Sequence, residues 1–229
     1  MMNNIASLES LIRYEFKNKN LLYQALTHPS ANKKGREIDY ERLEFVGDSV
    51  LSLVISESIY YLYPQEKEGS LAKRRSAIVC KDSLAQIAKD IGLGEYLILG
   101  TGEHQSGGRQ NLANLENSLE ALIAAVYFDG GLRAAKEFIN NFFAKYINQM
   151  KKPPKDAKST LQEWAQGKGL GLPKYEMISI TGPSHEPLIE IKLEIDNHTK
   201  ISKASSRKEA ERLAAVEVLK EMGLFNEDE

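Results

Sequence analysis

The sequence predicts an all-α N-terminal domain followed by a small α+β domain, ordered α-β-β-β-α around a three-stranded antiparallel sheet. Three observations carry this. Apolar residues recur at helical spacing through the first 150 positions, with no convincing period-two stretch among them. The segment 149–158 (QMKKPPKDAK) holds Pro153 and Pro154, which forbid helix continuation, among charges that keep it solvated. Beyond it the period changes to two, most clearly in 188–195 (LIEIKLEI). The domains are therefore placed at 1–150 and 158–225, with a linker at 151–157.

Taken in order, the helical stripes are Leu8, Leu11 and Ile12, then Leu22, Ala25 and Leu26. Leu43, Val46, Val50, Leu53 and Val54 form the next, followed by Leu84, Ile87, Ala88 and Ile91. A strongly apolar run from Leu119 continues through Phe138 and Phe142, and Asp129-Gly130-Gly131 should break it into two helices. After the linker, 160–167 is a short helix closed by glycine. Residues 174–181 alternate into a Gly182-Pro183 turn, 188–195 form a half-buried strand, Asp196-Asn197-His198 turn the chain, and 199–204 complete the sheet. Ser205 or Ser206 caps a last helix over 207–222, with Glu209 placed for a capping box.

Composition narrows the class. The chain has 229 residues, 30 Lys+Arg against 32 Asp+Glu, and 42% hydrophobic residues, which is ordinary for a globular protein. The longest uninterrupted apolar run, at 121–128, is too short to span a membrane, and residues 1–16 lack the features of a signal peptide. One cysteine, Cys80, excludes an internal disulfide and sits in an apolar helical setting that suggests packing. A cytoplasmic protein without membrane association is expected.

Glu41, Glu44 and Asp48 are spaced i, i+3, i+7, so a helix projects all three carboxylates from one face. Like charges at that spacing repel. Either they form a solvated face relieved by Arg42 or by distant lysines, or they serve a ligand. Glu116, Asn117 and Glu120 begin the most apolar helix, and Asn117 and Glu120 share a face. A carboxylate beside so buried a helix needs a counter-charge or a metal. Two helices each offering two oxygen-bearing side chains suit a hard cation such as Mg²⁺, which takes a few carboxylates and a substrate phosphate.

The stretch ERLEFVGDSVL at 41–51 resembles the signature of ribonuclease III, the double-strand-specific RNA endonuclease. EALIAAVYFDGG at 120–131 is similar to a second block of that family, and the similarity runs over almost the whole chain. The resemblance implies an all-α endonuclease domain that forms a homodimer, with Mg²⁺ (or Mn²⁺ as substitute) held by Glu44, Asp48, Asn117 and Glu120. Of these, Glu44, Asp48 and Glu120 would be catalytic. Glu41 and Glu68 match accessory acidic positions. Phe45 matches an aromatic that plugs into the partner subunit, and its alternative is an ordinary core aromatic. The family pattern usually has aspartate where this chain has Asn117, whose carbonyl can ligate Mg²⁺ but carries no charge. Glu116 points about 100° away and cannot substitute.

The C-terminal order resembles a double-stranded RNA-binding domain, which reads A-form RNA by shape, 2′-hydroxyls and phosphates. The resemblance places Ser159, Gln162, Glu163 and Gln166 of its first helix on a minor groove, and His185 of the Gly182-Pro183-Ser184-His185 turn on the next. Arg207 and Lys208, at the start of the last helix, would meet phosphates there. Glu211 stands where many such domains carry another basic residue, and Arg212 or Lys203 is then expected to compensate. In the first domain, the triplet Lys73-Arg74-Arg75 and the loop 107–111 (GGRQN) are candidates for RNA-backbone contact, the alternatives being a helix surface and a flexible turn.

The resemblance thus implies an endoribonuclease that hydrolyses double-stranded RNA with Mg²⁺, leaves 5′-phosphate and 3′-hydroxyl ends, and processes ribosomal RNA precursors and messages. The alternative is a dimeric, non-catalytic or attenuated RNA-binding protein in which Asn117 has weakened the metal site. Charge does not oppose either. Residues 155–229 hold 11 basic against 14 acidic residues, yet 200–212 holds five basic against two acidic. That distribution predicts modest, salt-sensitive affinity from a few phosphate contacts.

Overall fold

The computed structural model describes residues 5–32, 39–154, 156–183 and 187–224. They fall into two compact units, 1–154 and 155–229, divided beside the proline pair.

The first unit is helical: α1 (Ile5–Ile12), α2 (Lys19–Leu26), α3 (Glu41–Leu62), α4 (Glu68–Ile78), α5 (Lys81–Ile91), α6 (Thr101–Gln105) and α7 (Leu112–Gln149). Local chemistry sets several ends. Asn18 and Asn111 cap α2 and α7 by accepting from the N–H two residues on, and α5 stops at Gly92 in the left-handed region (φ 75°). The core is built on α7. Leu119 and all of Ala121 to Val126 have no exposure, and a helix apolar on every side must lie inside. The expected break in α7 falls at Gly131 (φ 76°, ψ −179°). Just before it, the Asp129 carboxylate accepts from Tyr14 Oη at 2.7 Å, Lys17 N at 3.0 Å and Asn18 N at 2.8 Å. Those bonds tie the break to the α1–α2 connection.

Helix α3 buries Leu43, Gly47, Val50, Leu51, Val54, Ile55 and Ile59. Two stripe residues expected inside are not: Leu11 and Leu53 are 51% and 56% exposed. Leu53 lies roughly 130° from the centre of the buried face of α3. It joins Phe45 and Tyr60 on an outward apolar stripe. By length and composition alone α3 is long and apolar enough to cross a membrane. A third of that apolar stretch is buried in the protein, where α3 packs against α7, and Glu44 and Asp48 project from it.

Arg74 overturns its place in a basic triplet. It is 1% exposed, donates from Nε and Nη2 to Glu66 at 2.8 and 2.6 Å and from Nη1 to the Met150 carbonyl at 2.5 Å, and stacks 3.6 Å over Tyr63. Only Lys73 and Arg75 of the triplet face outward in part. Cys80 is also corrected: it is exposed at the N-cap position of α5, with its thiol within hydrogen-bonding distance of Ala77 O and Ser83 Oγ and the Ser83 hydroxyl donating to Ala77 O at 2.7 Å.

The second unit contains α8 (Ala157–Gly167), β1 (Lys174–Thr181), β2 (Leu188–Ile195), β3 (His198–Ala204) and α9 (Arg207–Glu221). The sheet order is β1-β2-β3, antiparallel throughout, with Tyr175 opposite Leu193 and Ile191 opposite Ser202. A bulge inserts Ile178 into β1. The inward set of β2, Ile191, Leu193 and Ile195, is buried, as its alternation requires. Leu193 and Ile195 meet Leu161 and Ala165 of α8 and Ala214, Ala215, Val218 and Leu219 of α9. Ser206 is the N-cap of α9, accepting from Glu209 N at 3.3 Å, but the reciprocal half of the expected box is replaced. The Glu209 carboxylate pairs with Arg212 at 2.7 Å.

Candidate active site

The close crossing of α3 over α7 builds the acidic site, and Gly47 permits it. A Cβ at Gly47 would fall 1.8 Å from the Glu120 carbonyl oxygen and 2.4 Å from its carbon. With no side chain there, the two helices touch backbone to backbone and their polar faces meet at one end. Glu41, Glu44, Phe45, Asp48, Asn117 and Glu120 together line an open depression of about 460 Å³. All four proposed ligand positions therefore share one wall. Glu68 does not join them within the chain; it opens α4 and lines another depression with Ser56, Tyr60 and Arg75.

The electrostatics are those of crowded carboxylates. Glu120 is 8% exposed and its carboxyl is pushed up to about 8, by burial first and then by Asp48, Glu116 and Glu44. Burial and the Glu41 and Glu116 charges raise Glu44 as well. Glu116 rises through burial, with Lys81 opposing and Asp82 adding. Among the described residues no hydrogen bond or ion pair reaches the carboxylates of Glu44, Asp48 or Glu120.

Such a cluster fits a hard divalent cation. Every polar lining group offers oxygen, four are carboxylates, and burial and then the neighbouring charges let the Glu120 carboxyl keep its proton near neutrality. The described residues gather no set of three or more His, Cys, Asp or Glu groups tight enough to cage an ion unaided.

Tyr40 was not singled out from the sequence. It is 2% exposed, hydrogen-bonds to Asn117, and has its phenol pushed up to about 12 by burial and then by Glu44. Its position directly before the acidic stripe was the available signal. Gly47, inside the same stripe, was the other residue missed. Phe45 is 79% exposed, which excludes the core-aromatic alternative.

In the second unit, Gln162, Glu163 and Gln166 lie exposed on α8, on the face opposite Leu161 and Ala165, with Ser159 half-buried in its first turn. Lys208 is exposed beside Arg207 at the start of α9. His185 lies outside the described residues. Neither expected compensator for Glu211 stands beside it: Lys203 pairs with Glu190 at 3.3 Å and Arg212 with Glu209. The loop at 107–111 is pinned rather than flexible. Asn114 Nδ2 donates to the Gly108 carbonyl at 3.0 Å and Arg109 Nη1 to the Gly94 carbonyl at 2.7 Å.

Comparison with known proteins agrees with both units. Residues 18–147 match the Ribonuclease-III-like family model and residues 157–222 the double-stranded RNA binding motif. The chain is 48% identical over 221 residues to Ribonuclease 3 of Wolbachia sp. subsp. Drosophila simulans (strain wRi), covering 95% of each chain. It is 47% identical over 211 residues to Ribonuclease 3 of Ehrlichia ruminantium (strain Welgevonden), covering 91% of this chain and 93% of the relative. The nuclease domain of ribonuclease III from Campylobacter jejuni superposes with a TM-score of 0.60 at 40% identity, covering 63% of this chain and 97% of that one. Another structure of that domain, whose description cites flexibility in a region involved in dimer formation, gives 0.59. With an α3–α7 acidic depression in its first unit and a double-stranded RNA binding motif following in sequence, the chain belongs to the ribonuclease III family of endoribonucleases.

Proposed function

We propose that the chain is a homodimeric, Mg²⁺-dependent cytoplasmic endonuclease of double-stranded RNA, acting on ribosomal RNA precursors and messages. One observation carries it: Glu44, Asp48, Asn117 and Glu120 converge from two helices on one depression around a buried carboxyl. Glu44, Asp48 and Glu120 would hold the cation through carboxylate oxygens and Asn117 through its carbonyl, with Tyr40 fixing the amide. When bound, Mg²⁺ supplies Lewis acidity at the phosphodiester. Mn²⁺ offers the same charge to the same donors. Hydrolysis breaks the P–O3′ bond; the water oxygen stays on the 5′-phosphate and a proton ends on the 3′-oxygen. Gly47 keeps both helix faces close enough to act on one phosphate.

Ser159, Gln162, Glu163 and Gln166, with His185, are assigned to minor-groove contacts, and Arg207 and Lys208 to phosphates. Phe45, exposed on the apolar stripe of α3 beside the acidic depression, is assigned to the contact between two copies.

Long duplex RNA incubated with the protein, with Mg²⁺ and with chelator, tests the enzyme. Mg²⁺-dependent cleavage is expected, and Asn117→Asp should lower the Mg²⁺ concentration needed. Binding without cleavage in either Mg²⁺ or Mn²⁺ would instead establish the non-catalytic alternative that Asn117 allows.

A further inference from the structure

Glu211 lies on α9 one turn after Arg207, and it is buried, at 8% exposure. A carboxylate is tolerated there only if paired. Its two oxygens are engaged separately. Oε1 accepts from Arg207 Nε at 2.8 Å, one turn back on α9, and Oε2 accepts from Lys158 Nζ at 2.5 Å, across from α8. The Lys158 ammonium also lies 4.8 Å over the Tyr175 ring, so two independent contacts fix it.

The cations are held but not consumed. Arg207 is anchored by Nε, its side chain is 59% exposed, and its two Nη groups have no partner among the described residues. Lys158 remains 37% exposed and keeps further N–H donors beyond the one given to Glu211. Lys208, next in sequence to Arg207, adds a third exposed cation. One buried anion thus gathers cations from two helices into a single patch at the start of α9, where the helix dipole also favours phosphate.

Resting on the duplex-RNA binding proposed above, we propose that Glu211 is a positioning residue for recognition of the RNA backbone and that Lys158 is an additional phosphate contact. Glu211 orients the Arg207 guanidinium so that its Nη pair faces outward, and it draws Lys158 from α8 into the same patch. The sign of one substitution separates this from simple charge counting. Removing a negative charge from a polyanion-binding face should tighten binding if charge alone matters. If Glu211 positions its neighbours, removing its charge should weaken binding.

The experiment uses the full chain, with chelator to prevent cleavage, and duplex RNA followed by fluorescence anisotropy through a KCl series. Glu211→Gln should weaken binding by about threefold or more, although it makes the protein more positive. Lys158→Met should weaken it similarly and lower the slope of log affinity against log salt by about one, while Lys158→Arg should retain the slope. Tighter binding by Glu211→Gln, or an unchanged slope in Lys158→Met, overturns the proposal. If circular dichroism shows that Glu211→Gln unfolds the domain, the Lys158→Met slope and its arginine rescue decide. Failure of the wild type to bind duplex RNA at any salt would remove RNA binding itself. Normal wild-type binding with unmoved variants removes only the roles of Glu211 and Lys158.

Discussion

Glu120 makes the stability of the cation-free nuclease unit fall as pH rises. In the folded protein its carboxyl keeps its proton up to about 8, because burial and the Asp48, Glu116 and Glu44 charges disfavour ionisation. In the unfolded chain a glutamate releases its proton near about 4.3. Between those values the native state holds a proton that the unfolded state has lost, so each pH unit costs about 1.4 kcal/mol. The contribution is complete below about 4.3, is lost as pH rises through about 8, and amounts to on the order of 5 kcal/mol across the window. Urea unfolding followed by far-ultraviolet ellipticity, with chelator, at about pH 5.5 and about pH 7.5 should show a loss on the order of 3 kcal/mol from this group. Glu120→Gln keeps the shape and cannot ionise, so its loss should be smaller by that amount. A residual slope from Glu44 and Glu116, both raised, is expected to remain. Adding Mg²⁺ at the higher pH should restore stability to the wild type more than to the variant. Parallel pH dependences for wild type and Glu120→Gln would refute the reasoning.

Three further outcomes follow from packing. Gly47→Ala places a methyl 1.8 Å from the Glu120 carbonyl oxygen, so α3 and α7 must part; about 3 kcal/mol of stability and most Mg²⁺-dependent cleavage should be lost, read from urea midpoints and duplex cleavage. Arg74→Met strips Glu66 and the Met150 carbonyl of their buried partner. It should cost about 3 kcal/mol in urea unfolding and leave the salt slope of duplex binding unchanged. Phe45→Ala removes a side chain that is 79% exposed in the protomer, so unfolding should shift by less than about 0.5 kcal/mol while sedimentation moves toward monomer.

Helix and strand type were legible because they rest on local periodicity. β1 and β2 begin and end where the alternation does, and α9 starts directly after its serine cap. The stripe that named Leu11 and Leu53 as core failed for a related reason: periodicity marks an apolar face but not how much of it a neighbour covers. Arg74 and Cys80 misled because charge and apolarity in sequence do not say which group finds a buried partner.

By itself the sequence determined the helical character of the first part, the α-β-β-β-α order of the second, the acidic stripe on α3 and the departure at Asn117, all properties of spacing and residue type within one segment. The tertiary structure alone decided the rest. It brought residues 44 and 48 onto the same depression as 117 and 120 through a glycine-sized gap between helices. It raised the Glu120 carboxyl first by burying it and then by setting it near Asp48 and Glu44, more than 70 positions away in the chain. It also set Lys158 against Glu211. Burial and long-range electrostatics depend on which surfaces meet, and that is fixed only when the chain has folded.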